Sequence, residues 1–153
     1  MFMLDNKNKQ KSSSGISPLT SKIQRIDQDA KKILIVEDER SLRDVLVLNM
    51  KREGFDVLIA KNGQEGLDMA LQENPDLILL DLVMPVMDGM EMLRRLRQNK
   101  NGKKIKVIIL TNLIDTGKAE EAAQNEVYDY LCKVDWSMED LIKKVRKILG
   151  IRL

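Results

Sequence analysis

At 153 residues, with 43% apolar and 33% charged content, the chain suits one domain with an ordinary core. The longest apolar runs, such as Leu77–Leu80 and Val107–Leu110, fall far short of the roughly 18 residues that span a bilayer, and no apolar signal stretch stands at the N-terminus. A net charge of +2 argues against a global bias toward nucleic acid, the lone Cys132 excludes an internal disulfide, and the absence of histidine excludes a histidine kinase or phosphohistidine carrier.

Residues 1–16 are rich in Lys, Asn, Gln and Ser without hydrophobic period, and read as disordered. Ser17-Pro18 reads as an N-cap followed by proline at the first helical position. Leu19, Ile23, Ile26 and Ala30 then recur at helical spacing, so a short amphipathic helix is expected over 18–30 within a flexible tail of residues 1–31. Isolated helices of that length fail in water, so this one needs a surface to pack on. The segment 1–32 carries seven Lys/Arg against three Asp/Glu, whereas 33–153 carries nineteen against twenty-one.

From Lys32 onward, short apolar runs alternate with helical patterns. Ile33–Val36 is a strand, followed by a helix with Leu42, Val45, Leu46, Asn49 and Met50 on one face, ending at Gly54. Val47 and Leu48 fall about 130° away from that face and are expected outside. Phe55–Ala60 is the second strand, and Asn62-Gly63 opens a helix through about Glu73. Leu77–Leu80 is the third, with Met90, Leu93 and Leu96 marking the next helix. Lys106–Leu110 and Tyr128–Cys132 are the last two strands, with a helix at about Thr116–Asn125 between them and another, capped by Ser137, running to Leu149. The expected class is α/β: a doubly wound, five-stranded parallel sheet with helices on both faces.

Doubly wound sheets bind ligands beyond the carboxyl ends of their strands. Glu37 and Asp38 stand there after strand one, Asp81 after strand three, Thr111 after strand four and Lys133 after strand five. Three carboxylates at one sheet edge repel one another unless a cation intervenes. Oxygen donors without His or Cys suit a hard ion, Mg²⁺ before Zn²⁺. A lysine and a hydroxyl opposite them can hold phosphoryl oxygens, and a carboxylate can itself attack phosphorus. Any one of these residues alone is most simply a solvated cap; five at successive strand ends are hard to dismiss so.

The segments Ile35-Val36-Glu37-Asp38-Glu39, Leu80-Asp81-Leu82-Val83-Met84-Pro85-Val86-Met87-Asp88-Gly89, Ile109-Leu110-Thr111 and Tyr130-Leu131-Cys132-Lys133 resemble the response-regulator receiver family of two-component systems. The resemblance covers about residues 32–150, leaving 151–153 as a C-terminal end, and it implies a flavodoxin-like (βα)5 fold. It makes Asp81 the phosphoacceptor, with Mg²⁺ held by Asp38, Asp81 and the Val83 backbone carbonyl, and by Glu37 through water. Lys133 and Thr111 are implied to contact the phosphoryl oxygens, and Tyr130 to turn inward as Thr111 moves.

By the same resemblance the chain is a signalling switch in phosphorelay signal transduction, catalysing only its own phosphorylation and dephosphorylation. The expected donor is the phosphohistidine of a sensor histidine kinase or a histidine phosphotransfer protein, and the output is binding of a downstream protein, with room for a phosphorylation-dependent dimer. A stand-alone, cytoplasmic receiver without its own effector domain is expected, with no membrane or nucleic-acid partner. A phosphorylation-independent module that kept the fold is the alternative, against which the complete five-residue set argues. A small-molecule aspartyl-phosphate hydrolase needs a second Asp two residues after the nucleophile, where this chain has Val83.

Three departures from the family pattern stand out. Val134 follows Lys133 in place of the usual proline, and a trans bond is expected there because cis without proline costs ~3–4 kcal/mol. Asn112 replaces a small residue beside Asp81, and residues around Glu126 replace the glycine often found before strand five. Val83 and Leu113, which flank the phosphoryl group in receivers, are apolar and imply a long-lived phosphorylated state. The basic run from Arg94 through Lys106 reads as a solvated helix end and loop, Cys132 as a small core residue, and Trp136 as an anchor for the last helix.

Overall fold

The computed structural model describes residues 29–112, 116–127, 129–133 and 135–152. The tail, and the helix expected over 18–30 up to residue 28, lie outside the described residues, as do Leu113, Tyr128, Val134 and the side chain of Cys132. The Lys133–Val134 bond therefore lies outside them too.

The chain alternates β1 (Lys32–Val36), α1 (Arg40–Arg52), β2 (Asp56–Ala60), α2 (Gly63–Glu73), β3 (Leu77–Leu80), α3 (Gly89–Gln98), β4 (Lys106–Thr111), α4 (Thr116–Gln124), β5 (Asp129–Cys132) and α5 (Met138–Ile148). A single 3-10 turn at Gly102–Lys104 precedes β4. The strands form one parallel sheet in the order β2-β1-β3-β4-β5. This is the doubly wound (βα)5 architecture that the sequence predicts.

Strand parity explains the two layers. Leu34, Val36, Ile78, Leu80, Val107 and Ile109 face one core, closed by Leu67 and Ala70 of α2, Met90, Leu93 and Leu96 of α3 and Ala122 of α4. Ile33, Ile35, Leu77, Leu79, Ile108 and Leu110 face the other, closed by Leu46 and Met50 of α1 and Leu141 and Val145 of α5. Both faces being covered, the strands read as near-continuous aliphatic runs. Each such side chain, fully buried, contributes about 1.5–3 kcal/mol relative to exposure.

The expected face of α1 needs correction. Its buried residues are Arg43, Leu46 and Met50; Val45 is 48% exposed, and Val47 packs partly against the core. Leu48 is exposed as expected. The stripe is rotated because Arg43 finds hydrogen-bond acceptors inside, so a charged residue takes a position that hydropathy assigns to the surface.

Helix starts follow their caps. The side chains of Asn62, Asp88 and Ser137 accept from the amides of Glu65, Glu91 and Asp140 at the starts of α2, α3 and α5. Gly89 is required by close approach, since a Cβ there would stand 2.2 Å from the Asp81 carbonyl oxygen.

The basic run is only partly solvated. Arg94 pairs with Glu91 and Glu121, Arg95 with Glu91, and Arg97 donates to four backbone carbonyls. Trp136 packs partly against the α1–α5 core, while its buried Nε1 has no hydrogen-bond partner among the described residues.

Candidate phosphoryl-acceptor site

The site sits where the strand order reverses, since β1 lies between β2 and β3 and the chain leaves the two central strands in opposite directions. The ladder continues past the strand ends and fixes the residues there. The amide of Asp81 donates to the Val36 carbonyl at 3.0 Å, that of Glu37 to Ala60 at 3.1 Å, and that of Lys133 to Thr111 at 2.8 Å.

Glu37, Asp38 and Asp81 each offer a carboxylate oxygen, and these oxygens lie within 4.8 Å of one another. Glu37 and Asp81 are buried, while Asp38 is exposed. Lys133 Nζ lies 2.7 Å from Glu37 Oε2 and 3.3 Å from Asp81 Oδ2, neutralising part of the cluster. The Glu39 amide donates to Glu37 Oε1 at 3.0 Å, and the Val83 amide to Asp81 Oδ1 at 3.4 Å. Together with Glu39, Val83 and Asn112, these four residues line a cavity of about 490 Å³.

The electrostatics follow from this crowding. Burial pushes the Glu37 carboxyl above its ordinary value; the Lys133 hydrogen bond opposes this, and the Asp81 charge reinforces it. For Lys133, burial works against the charge, but the Glu37 hydrogen bond and the Asp81 and Glu37 charges outweigh it and raise its pKa. Three oxygen donors with no nitrogen or sulfur among them fit a hard divalent cation such as Mg²⁺.

Of the residues expected from sequence, Glu37, Asp38, Asp81, Val83 and Lys133 come together here. Thr111 is fully buried at the end of β4, and its neighbour Asn112 reaches the cavity wall instead. Tyr130 pairs in register with Ile109 and packs, half-buried, on the α2–α4 side of the sheet, the side to which strand parity also assigns Thr111.

Two participants were not anticipated from sequence. Glu39 lines the cavity rim, and Arg43 donates from Nη1 to the carbonyls of Glu37 at 2.9 Å and Asp38 at 3.1 Å. The signal for Arg43 was its place at positions 43, 46 and 50 of a helical stripe.

The model of the response regulator receiver domain matches residues 33–146, and the chain belongs to that family. It is 34% identical over 118 residues to the DNA-binding dual master transcriptional regulator RpaA of Synechocystis, covering 77% of this chain and 48% of that one. It is 38% identical over 118 residues to the response regulator ArlR of Staphylococcus saprophyticus, covering 77% and 52%. The chain thus spans about half the length of these curated relatives.

Among solved structures, it resembles a CheY-like receiver domain protein from Methanospirillum hungatei, with TM-score 0.73 and 28% identity over 79% of this chain and 94% of that one. It also resembles the receiver domain of a sensor histidine kinase from Pseudomonas aeruginosa, described with magnesium coordinated in its active-site cleft. That match has TM-score 0.72 and 28% identity over 79% of this chain and 98% of that one. Among the described residues, no helix is long and apolar enough to cross a membrane.

Proposed function

We propose that this domain is a Mg²⁺-dependent phosphorylation switch in which Asp81 takes a phosphoryl group from a phosphohistidine. The observation that carries the reading is Lys133 Nζ placed against both Glu37 and Asp81, beside an Asp38 oxygen that completes a three-carboxylate cluster.

In this reading an Asp81 oxygen attacks phosphorus, the bond from phosphorus to the donor imidazole nitrogen breaks, and the imidazole leaves with the electron pair. Asp38, Asp81 and the Val83 carbonyl would hold the cation directly, and Glu37 would do so through water. The cation, when bound, supplies charge neutralisation for the transferred group. Lys133 holds a phosphoryl oxygen, and the Thr111 hydroxyl donates to another. Tyr130, on the same side of the sheet, turns inward as Thr111 shifts, which biases an existing conformational equilibrium. The donor is a sensor histidine kinase or a histidine phosphotransfer protein, the output is binding of a downstream protein, and the setting is the cytoplasm.

The test is labelling with a small-molecule phosphodonor and Mg²⁺. The parent should acquire an acid-stable, base-labile label that Asp81→Asn abolishes. Full labelling of the Asp81→Asn variant would overturn the assignment, and an unlabelled parent would favour a phosphorylation-independent module.

A further inference from the structure

The geometry points to Arg43 as a positioning residue for the cation site: it grips the backbone of the Glu37–Asp38 turn and so holds the Asp38 carboxylate toward Asp81 before a cation binds. This inference rests on reading the acidic cluster as a Mg²⁺ site.

The three carboxylates are not held alike. Both oxygens of Glu37 are engaged, one by the Glu39 amide and the other by Lys133. Asp81 is steadied by the Val83 amide and by Lys133. The Asp38 carboxylate is exposed and takes no hydrogen bond from any described residue, yet its oxygen stands within 4.8 Å of the other two. Its placement therefore comes from its own backbone.

Arg43 is what grips that backbone. It lies in the first turn of α1 and is 8% exposed, a burial that would be costly for an unsatisfied guanidinium. Nη1 answers that cost by donating to both carbonyls of the acidic turn, at 2.9 Å to Glu37 and 3.1 Å to Asp38. The Arg43 amide also donates to Glu39 at 2.9 Å, so one residue joins the start of α1 to the end of β1 at backbone and side chain. A planar, always-charged guanidinium can serve two carbonyls at once in a way that a lysine ammonium reproduces only in part.

The experiment is calorimetric titration of the full chain with MgCl₂, with thermal unfolding of each cation-free variant as a control. Arg43→Met, which keeps the apolar stem and removes charge and donors, should weaken Mg²⁺ binding about fivefold or more, roughly 1 kcal/mol by the logarithmic relation of affinity to free energy. Arg43→Lys should fall between Met and parent, and Arg43→Gln serves where Met does not fold. Because the proposed role runs through Asp38, Arg43→Met should cost less in an Asp38→Asn background than in the parent. Parental affinity in a folded Met or Gln variant overturns the inference, and so does an equal loss in both backgrounds. A parent that binds no Mg²⁺ overturns the site reading itself.

Discussion

Nη2 of Arg97 donates to the carbonyl of Glu126 at 3.1 Å, and Glu126 is a non-glycine residue with a left-handed backbone, at φ 56°. The same guanidinium reaches Asn125 at 2.8 Å, Gly102 at 2.7 Å and Ile105 at 2.8 Å, all at carbonyl oxygens. One side chain of α3 thus gathers the end of α4 and the entry to β4. α4 has little else of its own to bury, with Ala122 its buried residue among those described.

Arg97→Met should therefore destabilise the domain by about 2 kcal/mol, in the range of hydrogen bonds to a charged group whose freed carbonyls can partly rehydrate. Amide exchange should accelerate more across residues 122–127 than in α1. An even acceleration across the chain would show that Arg97 is not a local fastening.

Glu126 and, in the loop after β3, Val86 both hold the left-handed backbone that glycine adopts freely. Val86 has φ 70°, is 83% exposed, and is bridged by a 2.8 Å hydrogen bond from the Met87 amide to the Pro85 carbonyl. Those features are those of a γ-turn of the rare, strained hand, and a β-branched residue suits it poorly. Val86→Gly and Glu126→Gly should each stabilise the domain by about 0.5–1 kcal/mol, the left-handed penalty less the entropy of a more flexible unfolded chain. Urea unfolding measures this. A loss of stability in either variant would mean that the side chain contributes more than its backbone costs.

The start of α5 carries a capping box in which Ser137 and Asp140 bond reciprocally. The Ser137 hydroxyl and amide hold the exposed Asp140 carboxyl below its usual value of 3.8, helped by the charges of Lys143 and Lys144. A lowered carboxyl pKa gives stability that is present above pH 3.8 and fades as pH falls through the folded-state value. The stability gap between parent and Asp140→Asn should thus be open at pH 7 and shrink below pH 3.8. A gap that is constant across that range counts against the carboxylate as its source.

Much of this fold was legible because both faces of the sheet are covered. Runs such as Ile33–Val36 and Leu77–Leu80 then carry no polar interruption, and each strand end is marked where the run stops at Glu37 or Asp81. The carboxylate cluster was legible for the same reason. Arg43 and Arg97 were not, because hydropathy assigns arginine to solvent and says nothing of carbonyls left over at strand and helix ends. The inward placement of Arg43 also turned Val45 outward, a consequence that periodicity alone could not supply. Val86 was hidden too, since valine does not announce a left-handed turn, whereas the turn at Glu126 was marked only by the glycine it replaces.

The remaining prediction concerns how long a phosphorylated Asp81 would last. Val83 is 56% exposed and lines the cavity that also contains Asp81 and Lys133. A water that hydrolyses a phosphoryl group on Asp81 must approach in line, and a polar side chain on its path orients it. Valine offers no hydrogen bond there and tends to keep water away, so the parent should hold its phosphoryl group for long. Asn112 is the polar competitor, exposed and lining the same cavity. Leu113, two residues after Thr111, is the second apolar position and lies outside the described residues. The Val83→Asn, Leu113→Glu variant should lose its label about threefold faster or more with Mg²⁺ and without kinase or phosphatase, equivalent to roughly 0.7 kcal/mol of barrier. Asn112→Ala should leave the parental decay unchanged. Equal or slower decay of the double variant would remove these side chains as the cause, and a marked slowing in Asn112→Ala would make that amide the group that orients the water.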